Sequence, residues 1–242
     1  MPAAPGICDT HADLFQFRHK LSRFAECLGK QRNIKIVAIG SSSTAGEGGL
    51  LPYPERLAML LRDHFDRHIV DVLNHGIGGQ EATTELLRFE PDVLAEAPAL
   101  VIWQVGTNAV YRSDEFDFDE VIGAIRMGLR RLAERSIDVV IMDSQYVPAV
   151  VNDEKLKLSI KLTTQIAEVS EAMKVNVFRR FDLMRHWVVH DGISIGQLVR
   201  EGGEHMLHTS DWATNCITRA LSELIIGACK PEMPRKTTGN AT

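Results

Sequence analysis

The sequence predicts an α/β fold: a doubly wound, flavodoxin-like, five-stranded parallel sheet with helices on both faces. Three observations predict it. Five short runs rich in β-branched residues are almost continuously apolar, as strands covered on both faces require. Stretches with helical apolar spacing separate these runs, so strand and helix alternate. Glycine-rich and hydroxyl-rich turns follow several of the runs, at the strand ends where open α/β sheets bind ligands.

Residues 10–29 come first and read as an amphipathic helix. Leu14, Phe17, Leu21, Phe24 and Leu28 recur every three or four positions. Thr10 with Asp13 resembles a capping box. This helix is expected to lie as a lid on the main domain. The strands are expected at 34–39, 69–73, 99–105, 137–142 and 175–178. One helical stripe, Leu57, Leu60, Leu61 and Phe65, follows a proline start at Pro54. A second runs through Phe118, Ile122, Ile125, Leu129 and Leu132, and a third through Leu158, Leu162, Ile166, Val169 and Met173. A last helix begins near Ser210 and passes Ile217, Leu221 and Leu224. Residues 1–229 are expected to form one domain, and 230–242 a disordered tail.

Composition excludes several classes of function. The chain has 242 residues, 45% hydrophobic and 24% charged, ordinary values for a soluble globular domain. Its net charge of −5, without a basic block, argues against nucleic-acid binding. No apolar run is long enough to span a bilayer, and no signal peptide is visible, so a cytoplasmic protein is expected. Cys8, Cys27, Cys216 and Cys229 form no CxxC pair and are expected to be buried free thiols. Nothing in the sequence argues for an oligomer or a cofactor.

Four segments carry chemistry. Gly40-Ser41-Ser42-Ser43-Thr44-Ala45-Gly46 follows the first strand directly. Asn74-His75-Gly76-Ile77-Gly78-Gly79 follows the second, and Gly106-Thr107-Asn108 the third. His205-Met206-Leu207-His208-Thr209-Ser210-Asp211 precedes the last helix. All four are expected on one rim of the sheet. A serine hydroxyl there needs a base to take its proton, and His208 is the candidate. Charge developing on an attacked carbonyl needs preset donors, which glycine-turn N–H groups and an asparagine amide can supply.

The four blocks resemble the SGNH (GDSL-type) hydrolase family over roughly residues 34–225. In that family Ser, Gly, Asn and His come one each from four blocks in this order. The resemblance implies that Ser42 is the nucleophile and His208 its base. It implies an oxyanion hole of Ser42, Gly79 and Asn108, and a small acylated ester as substrate. Three positions depart from the pattern. Ser41 and Ala109 replace aspartates beside the chemistry, and His205 replaces the aspartate that usually partners the histidine. Three repairs are conceivable: Glu204, Asp191 or Asp211 as the acid, a backbone carbonyl that orients His208, or a slow or inactive relative. A displaced carboxylate or a carbonyl is favoured.

Other readings compete. The serine turn lacks the Gly-Lys-Ser/Thr ending of a phosphate loop. His205, His208 and Asp211 have metal-ligand spacing, which would make a metal-assisted hydrolase but leave the serine and glycine blocks unexplained. No metal is therefore expected. The runner-up is a weak or inactive protein of SGNH fold that binds a ligand or partner in the same cleft. His75, His186 and His190 are read as structural, Trp103 and Trp212 as core or pocket wall, and the acidic stretch 114–120 as a solvated helix start.

Overall fold

In the computed structural model, which describes residues 8–201 and 206–229, the five apolar runs become one sheet of order β2-β1-β3-β4-β5. The strands are β1 (Asn33–Gly40), β2 (Ile69–Gly76), β3 (Leu100–Gln104), β4 (Asp138–Met142) and β5 (Asn176–Phe178). All four pairings are parallel, as the doubly wound reading requires. Ile36, Val37, Ala38 and Ile39 of β1 are fully buried, which explains why the run lacks polar alternation. Each large side chain so buried stabilises the fold by about 1.5–3 kcal/mol relative to exposure.

Among the described residues, ten α-helices cover the sheet and its rim. They are α1 (Ser22–Lys30), α2 (Ser42–Ala45), α3 (Tyr53–His64), α4 (Ala82–Glu85), α5 (Thr107–Tyr111), α6 (Phe118–Glu134), α7 (Pro148–Val151), α8 (Lys155–Ala172), α9 (Arg180–Val189) and α10 (Asp211–Cys229). Pro54 lies in the first turn of α3. Asp117 caps α6 by accepting from the backbone N–H of Asp119 at 2.7 Å and of Glu120 at 3.2 Å, so the acidic stretch is a helix start. Trp103 is fully buried and packs edge-on against Phe89. No described helix is long and apolar enough to cross a membrane.

The N-terminal expectation is corrected. Helix begins at Ser22, and residues 10–19 form an irregular strap instead. From Leu14 to Leu21 exposure alternates residue by residue, the pattern of extended chain. Phe15, Phe17 and Leu21 serve that period as well as Leu14, Phe17 and Leu21 serve a helical one. Tertiary bonds decide between them. Asn176 Oδ1 accepts from the His19 N–H at 2.9 Å, and Trp187 Nε1 donates to the Asp9 carbonyl at 2.8 Å. The thiol expectation is corrected in part. Cys8 and Cys216 are joined as a disulfide with Cα atoms 5.7 Å apart, while Cys27 and Cys229 are free. Helix α9 has no counterpart among the sequence-based expectations. The tail 230–242 lies outside the described residues.

Candidate active site

β1 pairs with β2 on one side and β3 on the other, so the strand order reverses beside it. The register sets Gly40 opposite Gly76 and Ile39 opposite Trp103. The serine turn, the Gly76–Gly79 turn and the Gly106–Asn108 turn therefore leave the sheet side by side. Close approach is built in at Gly76. A β-carbon there would stand 2.0 Å from the Ala45 backbone nitrogen, so only glycine lets α2 rest against the end of β2.

Ser42 opens α2, where the first backbone N–H groups lack partners within the helix. A buried amide holds the turn below it. Gln104 Oε1 accepts from the Ser41 N–H at 3.1 Å, the Ser41 hydroxyl at 2.9 Å and the Thr44 hydroxyl at 3.3 Å. Ser41 thus serves as an anchor to β3.

His208 meets this turn. Its Nε2 lies 3.0 Å from Ser42 Oγ, and its Nδ1 lies 3.2 Å from Glu47 Oε2. The imidazole therefore stands between a hydroxyl and a carboxylate. Arg200 N–H donates to the His208 carbonyl at 3.0 Å, and Gln145 Nε2 donates to the Leu207 carbonyl. Ser210 Oγ accepts from the Ala213 N–H at 3.2 Å, which caps α10 just beyond the histidine.

The acids expected from sequence are placed otherwise. Asp191 Oδ2 lies 2.7 Å from His11 Nε2, and Asp211 pairs with Arg56. Neither serves His208, because each points from a helix end to a different element. Glu204 and His205 lie outside the described residues. Asp211 being held by Arg56, and His208 by Ser42 and Glu47, the His208–Asp211 pair is not arranged as metal ligands. Glu47 escaped the sequence reading because it sits five residues after Ser42, on the same loop, and not near the histidine in sequence.

The Gly79 and Asn108 turns meet around Glu81. This buried carboxylate accepts from the Gly106 N–H at 2.8 Å, the Ala82 N–H at 3.0 Å and the Ala109 N–H at 3.0 Å. Burial pushes its pKa up, and these backbone N–H groups work against that shift. Glu81 so fixes the start of α5 and with it Asn108, whose Nδ2 donates to the Gln80 carbonyl at 2.8 Å. An amide nitrogen carries two N–H groups, so one remains. Gly79 has φ of 77°, a backbone state that favours glycine, and Arg112 donates to its carbonyl. A β-carbon on Gly78 would lie 3.9 Å from Ser42 Cβ, so the Gly78–Gln80 stretch spans from the serine to the asparagine. A cleft of about 30 Å³ opens between Ser42, Glu47, Leu51, Pro52 and His208.

Comparison with known proteins agrees with this architecture. Axe2, an acetylxylan esterase from Geobacillus stearothermophilus, superposes with a TM-score of 0.68 at 20% identity, over 79% of this chain and 94% of that one. LAE5, an alpha/beta hydrolase enzyme from the metagenome of Lake Arreo, Spain, superposes with a TM-score of 0.67 at 18% identity, over 79% and 96%. At such identities the likeness is one of fold. No curated protein matches the sequence. The Non-GDSL lipase-like family matches residues 7–231, and Gly40-Ser41-Ser42 indeed has no aspartate before its serine. With nearly its whole length matched, this chain belongs to the Non-GDSL lipase-like family.

Proposed function

We propose that this protein is a serine esterase of SGNH type that hydrolyses short acyl esters, of the acetyl class, through an acyl-enzyme on Ser42. The observation that carries the reading is the line of three groups: Ser42 Oγ, 3.0 Å, His208 Nε2, then His208 Nδ1, 3.2 Å, Glu47 Oε2. Ser42 Oγ attacks the ester carbonyl as its proton passes to His208 Nε2. Glu47 steadies the imidazolium that forms and holds the ring's orientation, the part an aspartate plays in a serine triad. The carbonyl oxygen becomes an oxyanion between the Ser42 and Gly79 N–H groups and the Asn108 amide. Collapse breaks the ester C–O bond, and His208 returns its proton to the leaving alcohol. Water then attacks the acyl-enzyme with His208 as base, releasing the acid and restoring Ser42.

The narrowness of the cleft beside Leu51 and Pro52 favours a short acyl group over a long one. Axe2 is described as an acetylxylan esterase, and its catalytic mutants fall at a serine, an aspartate and a histidine. The same kinds of group stand here, with glutamate in the acid's place. Turnover of p-nitrophenyl acetate and labelling by a fluorophosphonate test the reading. Both are expected in the wild type and neither in Ser42→Ala; equal turnover in the two proteins would remove Ser42 from the mechanism.

A further inference from the structure

The N-terminal strap and the end of α9 meet in a cluster that the ester chemistry does not use. His11 Nε2 lies 2.7 Å from Asp191 Oδ2, and His186 Nε2 lies 3.8 Å from Asp191 Oδ1. The ligand atoms of His11, His186 and Asp191 all fall within 4.8 Å of one another. The His11 and His186 rings are 4.3 Å apart, and His190 lies against His186 at 4.4 Å. His11 takes a φ of 45°, a left-handed state that histidine adopts more readily than most side chains. We infer that His11, His186 and Asp191 form a binding site for a divalent transition metal of the zinc class, one that clips the strap to α9.

Charge is the first argument. The His11 ring has a carboxylate on each side: Asp191 at Nε2, and Asp9 at Nδ1, 3.7 Å away. Two carboxylates around one ring favour positive charge there, and a metal cation between His11 Nε2 and Asp191 supplies it. The Nδ1–H then faces Asp9, the outer carboxylate partner that metal-bound histidines commonly have. Asp9 is itself tethered, since its Oδ1 accepts from the His11 N–H at 2.9 Å.

The surroundings favour a cation too. His186 sits in the last turn of α9, and the following His190 and Asp191 N–H groups both point at its carbonyl. A helix C-terminus carries negative partial charge. Donor geometry is near what zinc needs. Ligand atoms about 2.0–2.1 Å from a tetrahedral zinc stand roughly 3.3 Å apart. The observed 2.7 Å and 3.8 Å bracket that value, so small side-chain adjustments admit the ion. Two nitrogens and one oxygen suit zinc, with a water as fourth ligand. His186 is six residues into α9, roughly 9 Å along it from the rim where β5 ends. The ion is thus a structural clip that does not touch Ser42.

The test is equilibrium dialysis of the chelator-treated full chain against Zn²⁺, with thermal unfolding and the visible spectrum of the Co²⁺ form as independent readouts. One ion per chain, a higher melting temperature with Zn²⁺ and a tetrahedral Co²⁺ spectrum are expected. His186→Ala and Asp191→Asn should each weaken binding tenfold or more and abolish the thermal shift. Asp9→Asn, which removes no ligand, should weaken it less. His186→Ala is expected to keep its p-nitrophenyl acetate turnover, which shows that it folds. Failure of the wild type to bind Zn²⁺, or undiminished binding by a folded His186→Ala, overturns the inference.

Discussion

His208 Nδ1 faces Glu47 Oε2 at 3.2 Å, and Glu47 lies five residues after Ser42, the residue that the same ring contacts with Nε2. Histidine and carboxylate therefore converge from distant parts of the chain, the carboxylate arriving on the loop that follows Ser42. Glu47→Gln keeps the size of the side chain and removes its charge. We expect kcat/KM to fall about 100-fold. That is less than the ~10⁴ of a buried protease aspartate, because Glu47 is 44% exposed and water screens it. Steady-state kinetics of the variant measure this; unchanged kcat/KM would discard Glu47 as the acid.

His205 occupies the position of the missing aspartate. With Glu47 already beside His208, His205→Asp is expected to change wild-type turnover little. In the Glu47→Gln background the same substitution should recover activity by tenfold or more. A large gain in the wild type, with none in Glu47→Gln, would show that Glu47 does not serve the histidine.

In the proposed mechanism Glu81 acts through the backbone of α5 and positions Asn108. Glu81→Gln replaces one acceptor oxygen by a donor facing backbone N–H groups, and a buried donor left unpaired costs about 1–3 kcal/mol. We expect kcat to fall about tenfold with KM little changed, since the oxyanion donors matter most in the transition state. A rise in KM alone would place Glu81 in ground-state binding instead.

Asp143 is buried between β4 and α9, and its carboxyl is pushed up to about 7, chiefly by loss of water. The Phe181 N–H, 3.0 Å from Oδ1, works against that shift. An unfolded aspartate titrates near ~4. Between ~4 and about 7 the folded chain therefore holds a proton that the unfolded chain has lost. Stability accordingly declines as pH rises through that window and levels off above it. Burial likewise raises Glu81, Glu85 and Asp138, adding to the same slope. Thermal unfolding should show a higher melting temperature at pH 5 than at pH 8. Asp143→Asn keeps an acceptor for Phe181, so it should flatten the slope and raise stability at pH 8; an unaltered slope would contradict the assignment.

Gly76→Ala tests the packing under the serine. Its β-carbon would collide with backbone, which cannot rotate away as a side chain would. A loss of about 3 kcal/mol or more in denaturant unfolding is expected. A stable, active Gly76→Ala would mean that α2 does not rest on β2 as described.

The strand ladder was legible in the residues because parallel strands are buried on both faces. Runs such as Ile36–Ile39 and Leu100–Trp103 must then be apolar whatever surrounds them. The turns that carry Ser42, Gly79 and Asn108 were legible as turns for a related reason, since tight connections at strand ends need small and polar residues close behind each run. Position within the fold decided the rest. The strap at 10–19 satisfies two periodicities, and tertiary bonds such as those of His19 with Asn176 and of Arg18 with Glu171 choose the extended one. Likewise the carboxylate at His208 could not be found by spacing. Asp191 and Asp211 are nearer to it in sequence, but helix ends aim them at His11 and Arg56, and a glycine-rich loop carries Glu47 in from 161 residues away. Short-range physics writes itself into local patterns, whereas a long-range electrostatic pairing leaves none.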